Sequence, residues 1–446
     1  MQIYAISFGV YGVVSVFTLM IYGALPAIAA KNGLPPQQIG LLYLSMIPFM
    51  LSFFYSGLVE SYRKKHACNF KRLCLTLGAV SILGFVLLGV VCTPSDILLM
   101  SVVFGVMCLL GACAIISLNA IAIEQTSADK KVALNTIMLL ASGVGGVLGI
   151  VLALFVYEEF GFSVACYAMA ICVAVLCLPF VLMSGGGKYG NIEPNKESTN
   201  STTESNTNHI DTKSTPSILK TLKTPRLWWQ LGFFCACMLP ITLANTTSTM
   251  LLVYIGFSLQ VVGIFSAILN CAIMFAGSPL AYLFIRALGF RRAFMALLGF
   301  CVVVFVGLVV NMWLWQNHAF IVLGLAGVSV YFCALFVFAY SLGMRWCEGS
   351  TQSGVDFSFL RLAENACFVV GGVLASQILG LFIAQEKLDS LSSSYSSDFI
   401  GISLREVLGK SGIESSVANG YGVLFCASLL FAIVALGVVV CNKKIA

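Results

Sequence analysis

The sequence predicts an all-α polytopic membrane protein with twelve transmembrane helices, and three observations carry that prediction. The 446 residues are 59% hydrophobic and only 9% charged, whereas a soluble domain carries about 25% charged residues to cover its water-facing surface. Apolar runs of about 20 residues, the length that crosses a bilayer as a helix, recur along the chain. The runs are continuous rather than short and alternating, which selects helices over a barrel. The composition excludes a soluble enzyme, a nucleic-acid binder and a disordered chain.

The elements follow in order. The first apolar run covers 4–29; it lacks a basic leader and is too long for a signal-peptide core. Runs at 37–58, 73–92, 97–122, 134–157 and 163–183 follow. The stretch 185–226 opens with Gly185-Gly186-Gly187 and continues polar, with too few large apolar residues to fold. It reads as a flexible linker between an N-terminal half, 1–184, and a C-terminal half, 227–446. The second half has runs at 227–255, 260–285, 293–314, 319–344, 355–384 and 418–441. Its loop 385–417 is long, with a serine-rich stretch and a short amphipathic segment at 402–408.

Of 24 basic residues, 19 fall on one side of this arrangement. They include Arg63, Lys64, Lys65, Lys71 and Arg72 after the second run, Arg286, Arg291 and Arg292 after the eighth, and Lys443 and Lys444 at the end. The excess of Lys and Arg on cytoplasmic loops then places both termini and the linker in the cytoplasm. Lys31, Lys387, Arg405 and Lys410 face outward, and Arg361 stays at a span. The 17 cysteines lie scattered through apolar runs and read as small apolar residues, with no metal-ligand or disulfide spacing.

The halves repeat. Gly33, Gln37 and Gly40 lie between the first two spans; Gly256, Gln260 and Gly263 lie between the seventh and eighth, each 223 residues on. Gly145-Gly146 in the fifth span matches Gly371-Gly372 in the eleventh, at an offset of 226. Parallel six-helix repeats are an architecture of alternating-access transporters, with the solute site between the halves near the midplane.

On these features the chain resembles the major facilitator superfamily. Gly57, Glu60 and Arg63-Lys64-Lys65 stand where that superfamily has its loop signature, and Arg286, Gly289, Arg291 and Arg292 echo it. The turn Asn32-Gly33-Leu34 and the stretch Asn119 through Glu124 to Lys131 resemble the branch of muropeptide permeases, acetyl-CoA transporters and siderophore permeases. That branch often carries two aspartates in span 4, where this chain has Ile115 and Asn119. The resemblance implies proton-coupled uptake of a muropeptide- or siderophore-like solute across a bacterial inner membrane, by a monomer without a cofactor. The alternative is a proton-coupled drug or metabolite efflux antiporter; many drug antiporters of the superfamily carry Gly-Pro in span 5, and no proline lies between Ala141 and Tyr157, which tilts the reading toward uptake.

A solute pathway needs polar groups on inward helix faces. Tyr4, Tyr11, Ser15, Thr18 and Tyr22 share one face of span 1, as a cavity wall or as interhelical glue. Thr242, Asn245 and Thr249 follow Pro240 in span 7 at helical spacing, lining the cavity or back-bonding around a kink. Asn119 and Asn270 are polar residues of spans 4 and 8 with the same two readings. Arg361 and Glu364 sit three apart, as a proton-coupling pair or as a cytoplasmic helix extension. Glu60 with Arg63 and Lys64, and Asp129 with Lys131, are candidate cytoplasmic gate pairs, with solvated loop charge as the alternative. Without HExxH, GxSxG or Walker sequences, the chain reads as a secondary transporter and not an enzyme.

Overall fold

The computed structural model describes residues 2–66, 68–125, 128–182, 222–268, 281, 283–347, 353–383 and 413–441. Among the described residues, ten helices are long and apolar enough to cross a membrane, a bent pair adds an eleventh, and the short helix Leu259–Ala267 is numbered with them as the eighth of twelve. In chain order they are α1 (Ile3–Lys31), α2 (Pro36–Met50 continued by Ser52–Arg63), α3 (Asn69–Val91), α4 (Ile97–Ile121), α5 (Leu140–Phe160) and α6 (Phe162–Leu182). Then come α7 (Pro225–Tyr254), α8 (described over Leu259–Ala267), α9 (Phe290–Trp315), α10 (His318–Ala339), α11 (Phe359–Phe382) and α12 (Ser415–Cys441). No strand forms among the described residues, as an apolar solvent demands: each helix satisfies its own backbone. The linker 185–226 as far as Thr221 and most of the loop 385–417 lie outside the described residues.

Local breaks have local causes. In α1 the helix widens to a π turn at Met20–Ala24, just before Pro26, whose ring removes a backbone donor. In α2 a 3₁₀ stretch, Gly40–Met46, precedes Pro48, and the helix bends by 42° at Leu51. The Pro48 carbonyl accepts from the Tyr55 hydroxyl at 2.6 Å. A second π turn, Val147–Leu152, follows the glycines of α5.

Lipid is as apolar as the side chains, so helices associate through close packing and polar contacts. Glycine supplies the closeness. A Cβ on Gly145 would collide with the Gly12 carbonyl oxygen, and one on Gly149 with that of Val16, so α5 lies directly on α1. The repeat-related Gly371 of α11 lies against Thr242 of α7 in the same way. Contacts between the first six helices and the last six run chiefly along α2–α11 and α5–α8. The end of α1, Met20–Lys31, also meets α7.

The ends of α1 and α7 close alike. Gly33 N donates to Ala30 O and Leu34 N to Ala29 O, both at 3.1 Å. Gly256 N donates to Val253 O at 2.9 Å and Phe257 N to Leu252 O at 3.0 Å, each bond 223 residues on. This is the Schellman closure, and its left-handed residue is glycine in both, with φ of 75° and 97°. Exposed tryptophans cap the spans: Trp228 and Trp229 at the start of α7, Trp313 and Trp315 at the end of α9. That is where amphipathic rings meet a membrane–water boundary.

Candidate functional site

A cavity of about 120 Å³ lies between the two sets of helices. α1 contributes Thr18 and Tyr22, α5 Ile150, α7 Asn245, Thr246, Ser248 and Thr249, α10 Phe332 and α11 Phe368. Sequence periodicity brings α1 and α7 here, since Thr18 and Tyr22 are one turn apart, as are Asn245 and Thr249. None of the described lining residues carries a charge.

The polar groups divide into spent and available. Thr18 donates its hydroxyl to Val14 O at 2.9 Å, Thr246 to Thr242 O at 2.6 Å and Ser248 to Asn245 O at 2.8 Å. These back-bonds satisfy hydroxyls inside a helix. Among the described residues, the Thr249 hydroxyl is buried without a hydrogen-bond partner, and none forms at the Asn245 amide or the Tyr22 hydroxyl. Three rings form the apolar part: Tyr22 and Phe368 at 5.1 Å between centroids, tilted by 44°, and Phe332 edge-on to Phe368 at 5.8 Å.

The remaining candidates fall elsewhere. Tyr11 donates to Asn119 Oδ1 at 2.9 Å, a bridge between α1 and α4. Ser15 is buried against Gly145, and Thr242 back-bonds to Leu239 O at 3.2 Å while packing on Gly371. Asn270 lies outside the described residues, as do the side chains of Glu60, Lys64, Asp129 and Lys131. Arg63 is described and buried.

Arg361 and Glu364 lie in the first turns of α11. Their closest approach is 3.7 Å, with Glu364 at 15% side-chain exposure and Arg361 at 41%. They border a small cavity of about 20 Å³ with Phe234 and Met238 of α7, which shares no lining residue with the larger one. Next to it, Asn365 donates to Phe49 O of α2 at 3.2 Å.

The opposite end of the cavity is roofed by contacts that single-residue reasoning did not single out. Tyr43 of α2 donates to Thr246 O of α7 at 2.6 Å, and its ring stacks on Tyr22 at 6.0 Å. Gln37 packs against Gly380 of α11, and its repeat partner Gln260 donates to Glu159 Oε1 of α5 at 3.1 Å. Lys31 binds both carboxylate oxygens of Glu158 at 2.7 and 2.8 Å. The coincidence of Gln37 and Gln260 at the repeat offset was the one sequence signal for this roof.

The Major Facilitator Superfamily profile matches residues 7–372. Solved structures share the fold. A bacterial homologue of the human lysosomal transporter Spinster, inward-facing and unoccupied, is 12% identical with a TM-score of 0.66, over 100% of this chain and 96% of that one. The nucleoside transporter NupG is 14% identical with a TM-score of 0.65, over 98% of both chains. Tetrameric PepTSo2 is 14% identical with a TM-score of 0.65, over 99% of this chain and 100% of that one. No curated protein matches by sequence. The chain belongs to the Major Facilitator Superfamily and is a transporter rather than an enzyme.

Proposed function

We propose that this transporter takes up a small polar organic solute together with protons, by alternating access, as a monomer in a bacterial inner membrane with both termini in the cytoplasm. The cavity between α1 and α7, where Asn245 and Thr249 have no side-chain partner among the described residues, carries the reading. Polar groups inside a membrane bundle mark solute pathways. The roof formed by Tyr43, Gln37 and Gln260 closes the Gly33 end of the cavity, which is the outer end in this orientation.

Protons enter the reading through Glu364. Glu364 lies on α11 with Arg361 one turn away at 3.7 Å, which makes it the carboxyl group this reading assigns to carry the proton. The charge clusters with Glu60, Arg63, Lys64, Asp129 and Lys131 form the cytoplasmic gate. By resemblance, muropeptides and siderophores are the first solutes to assay.

Accumulation of radiolabelled solutes in expressing cells tests the proposal. Uptake that collapses with a protonophore supports it. Lower internal solute that rises with the protonophore identifies an efflux antiporter instead.

A further inference from the structure

The cavity also constrains what it can hold. We infer that its solute is uncharged and presents a flat heteroaromatic ring with one polar, amide-like edge. This rests on the solute-transport reading and departs from the solutes the resemblance suggests, so binding of a muropeptide or siderophore in this cavity counts against it.

Charge is excluded first. No described lining residue is ionised, and burying an unpaired carboxylate or ammonium is costly. Carboxylates of a muropeptide or siderophore would find no cation here. The polar groups then limit hydroxyl-rich solutes. Thr18, Thr246 and Ser248 have committed their donors to backbone carbonyls, which leaves the Tyr22 hydroxyl on α1 and, on α7, the Asn245 amide and the Thr249 hydroxyl. A sugar needs partners around its whole rim; three groups are too few for that, and two of them, Asn245 and Thr249, serve one edge. They lie one turn apart on α7, so they read a single side of the solute.

The rings supply the rest. Tyr22 and Phe368 are tilted by 44°, and Phe332 meets Phe368 nearly perpendicular at 85°. They form a corner that offers both ring faces and ring edges, the geometries aromatic partners prefer. The Asn245 amide has an acceptor and two donors side by side, which complements the alternating donor and acceptor of a cyclic amide or imide.

Binding to the purified full-length chain in detergent tests this without any gradient, so it stands or falls apart from proton coupling. The probes are uracil and adenine (neutral rings), N-acetylglucosamine, dialanine and benzoate, read as a rise in unfolding temperature and as equilibrium affinity. Uracil or adenine is expected to stabilise the protein and the other three not. Phe368→Leu and Asn245→Ala are each expected to weaken ring binding about tenfold, matching the loss of one stacking or hydrogen-bond contact. Phe368→Tyr keeps the ring and is expected to retain binding. The lipid-facing Phe300→Leu serves as a control for folding. Stabilisation by N-acetylglucosamine, dialanine or benzoate instead of the rings overturns the inference. So does ring binding that ignores both Phe368→Leu and Asn245→Ala.

Discussion

Tyr43 of α2 donates its hydroxyl to the Thr246 carbonyl of α7 at 2.6 Å, in fully buried surroundings. The same ring stacks on Tyr22 of α1 and lies against Gly372 of α11. One side chain of α2 thus touches three other helices at the cavity roof. Tyr43→Phe keeps the packing and removes the bond, which is worth about 1 kcal/mol net, more where the acceptor stays buried. The expected outcome is a shift of roughly fivefold or more toward the outward-open population, measured by cysteine accessibility on the Gly33 side. Unchanged accessibility would assign Tyr43 a packing role alone.

Gly145 and Gly371 set the spacing of α1–α5 and α7–α11. Gly145→Ala places a methyl into the Gly12 carbonyl and is expected to cost about 1–3 kcal/mol by overpacking. Gly299→Ala on α9 meets nothing within 4 Å and is expected to be neutral or slightly stabilising. Thermal unfolding in detergent compares the two; equal melting points would remove the close-packing account.

Gly33 and Gly256 hold left-handed turns in the same closure. Each Gly→Ala change is expected to cost about 1–2 kcal/mol from the Cβ clash alone. Similar penalties at both sites would reflect their shared geometry. A penalty at neither would mean the turns can re-form without glycine.

Glu364→Gln fixes the side chain in its neutral form. Under the proton-coupling proposal, exchange of solute across the membrane survives while accumulation against a gradient is lost at every pH. Wild-type accumulation across the pH range would leave Arg361 and Glu364 as a structural pair on α11.

The all-helical fold was legible because charge is scarce and apolar runs are long, and both follow from the solvent. Eleven of the twelve expected runs match a described span, as with 97–122 against Ile97–Ile121, while most of the eighth, 260–285, lies outside the described residues. The repeat at offset 223 was legible because positive φ restricts Gly33 and Gly256 to glycine. The site was harder to read. Helical periodicity placed Tyr11, Ser15, Thr18 and Tyr22 on one face, yet that face is shared among three neighbours: Asn119 takes Tyr11, Gly145 takes Ser15, and the cavity takes Thr18 and Tyr22. Periodicity gives a direction, not the partner in that direction. Phe332 and Phe368 were invisible for a related reason: aromatic residues are common in spans, and only the tertiary packing turns these two toward the cavity.

Solute accumulation by cells carrying wild type or the Tyr22→Ala, Asn245→Ala double variant, with and without a protonophore, tests proton-driven transport through this cavity most directly. The expected result is uptake by the wild type that the protonophore abolishes and that the double variant lacks while still reaching the membrane. Uptake by the double variant at wild-type rate, or wild-type accumulation that rises with the protonophore, would contradict it.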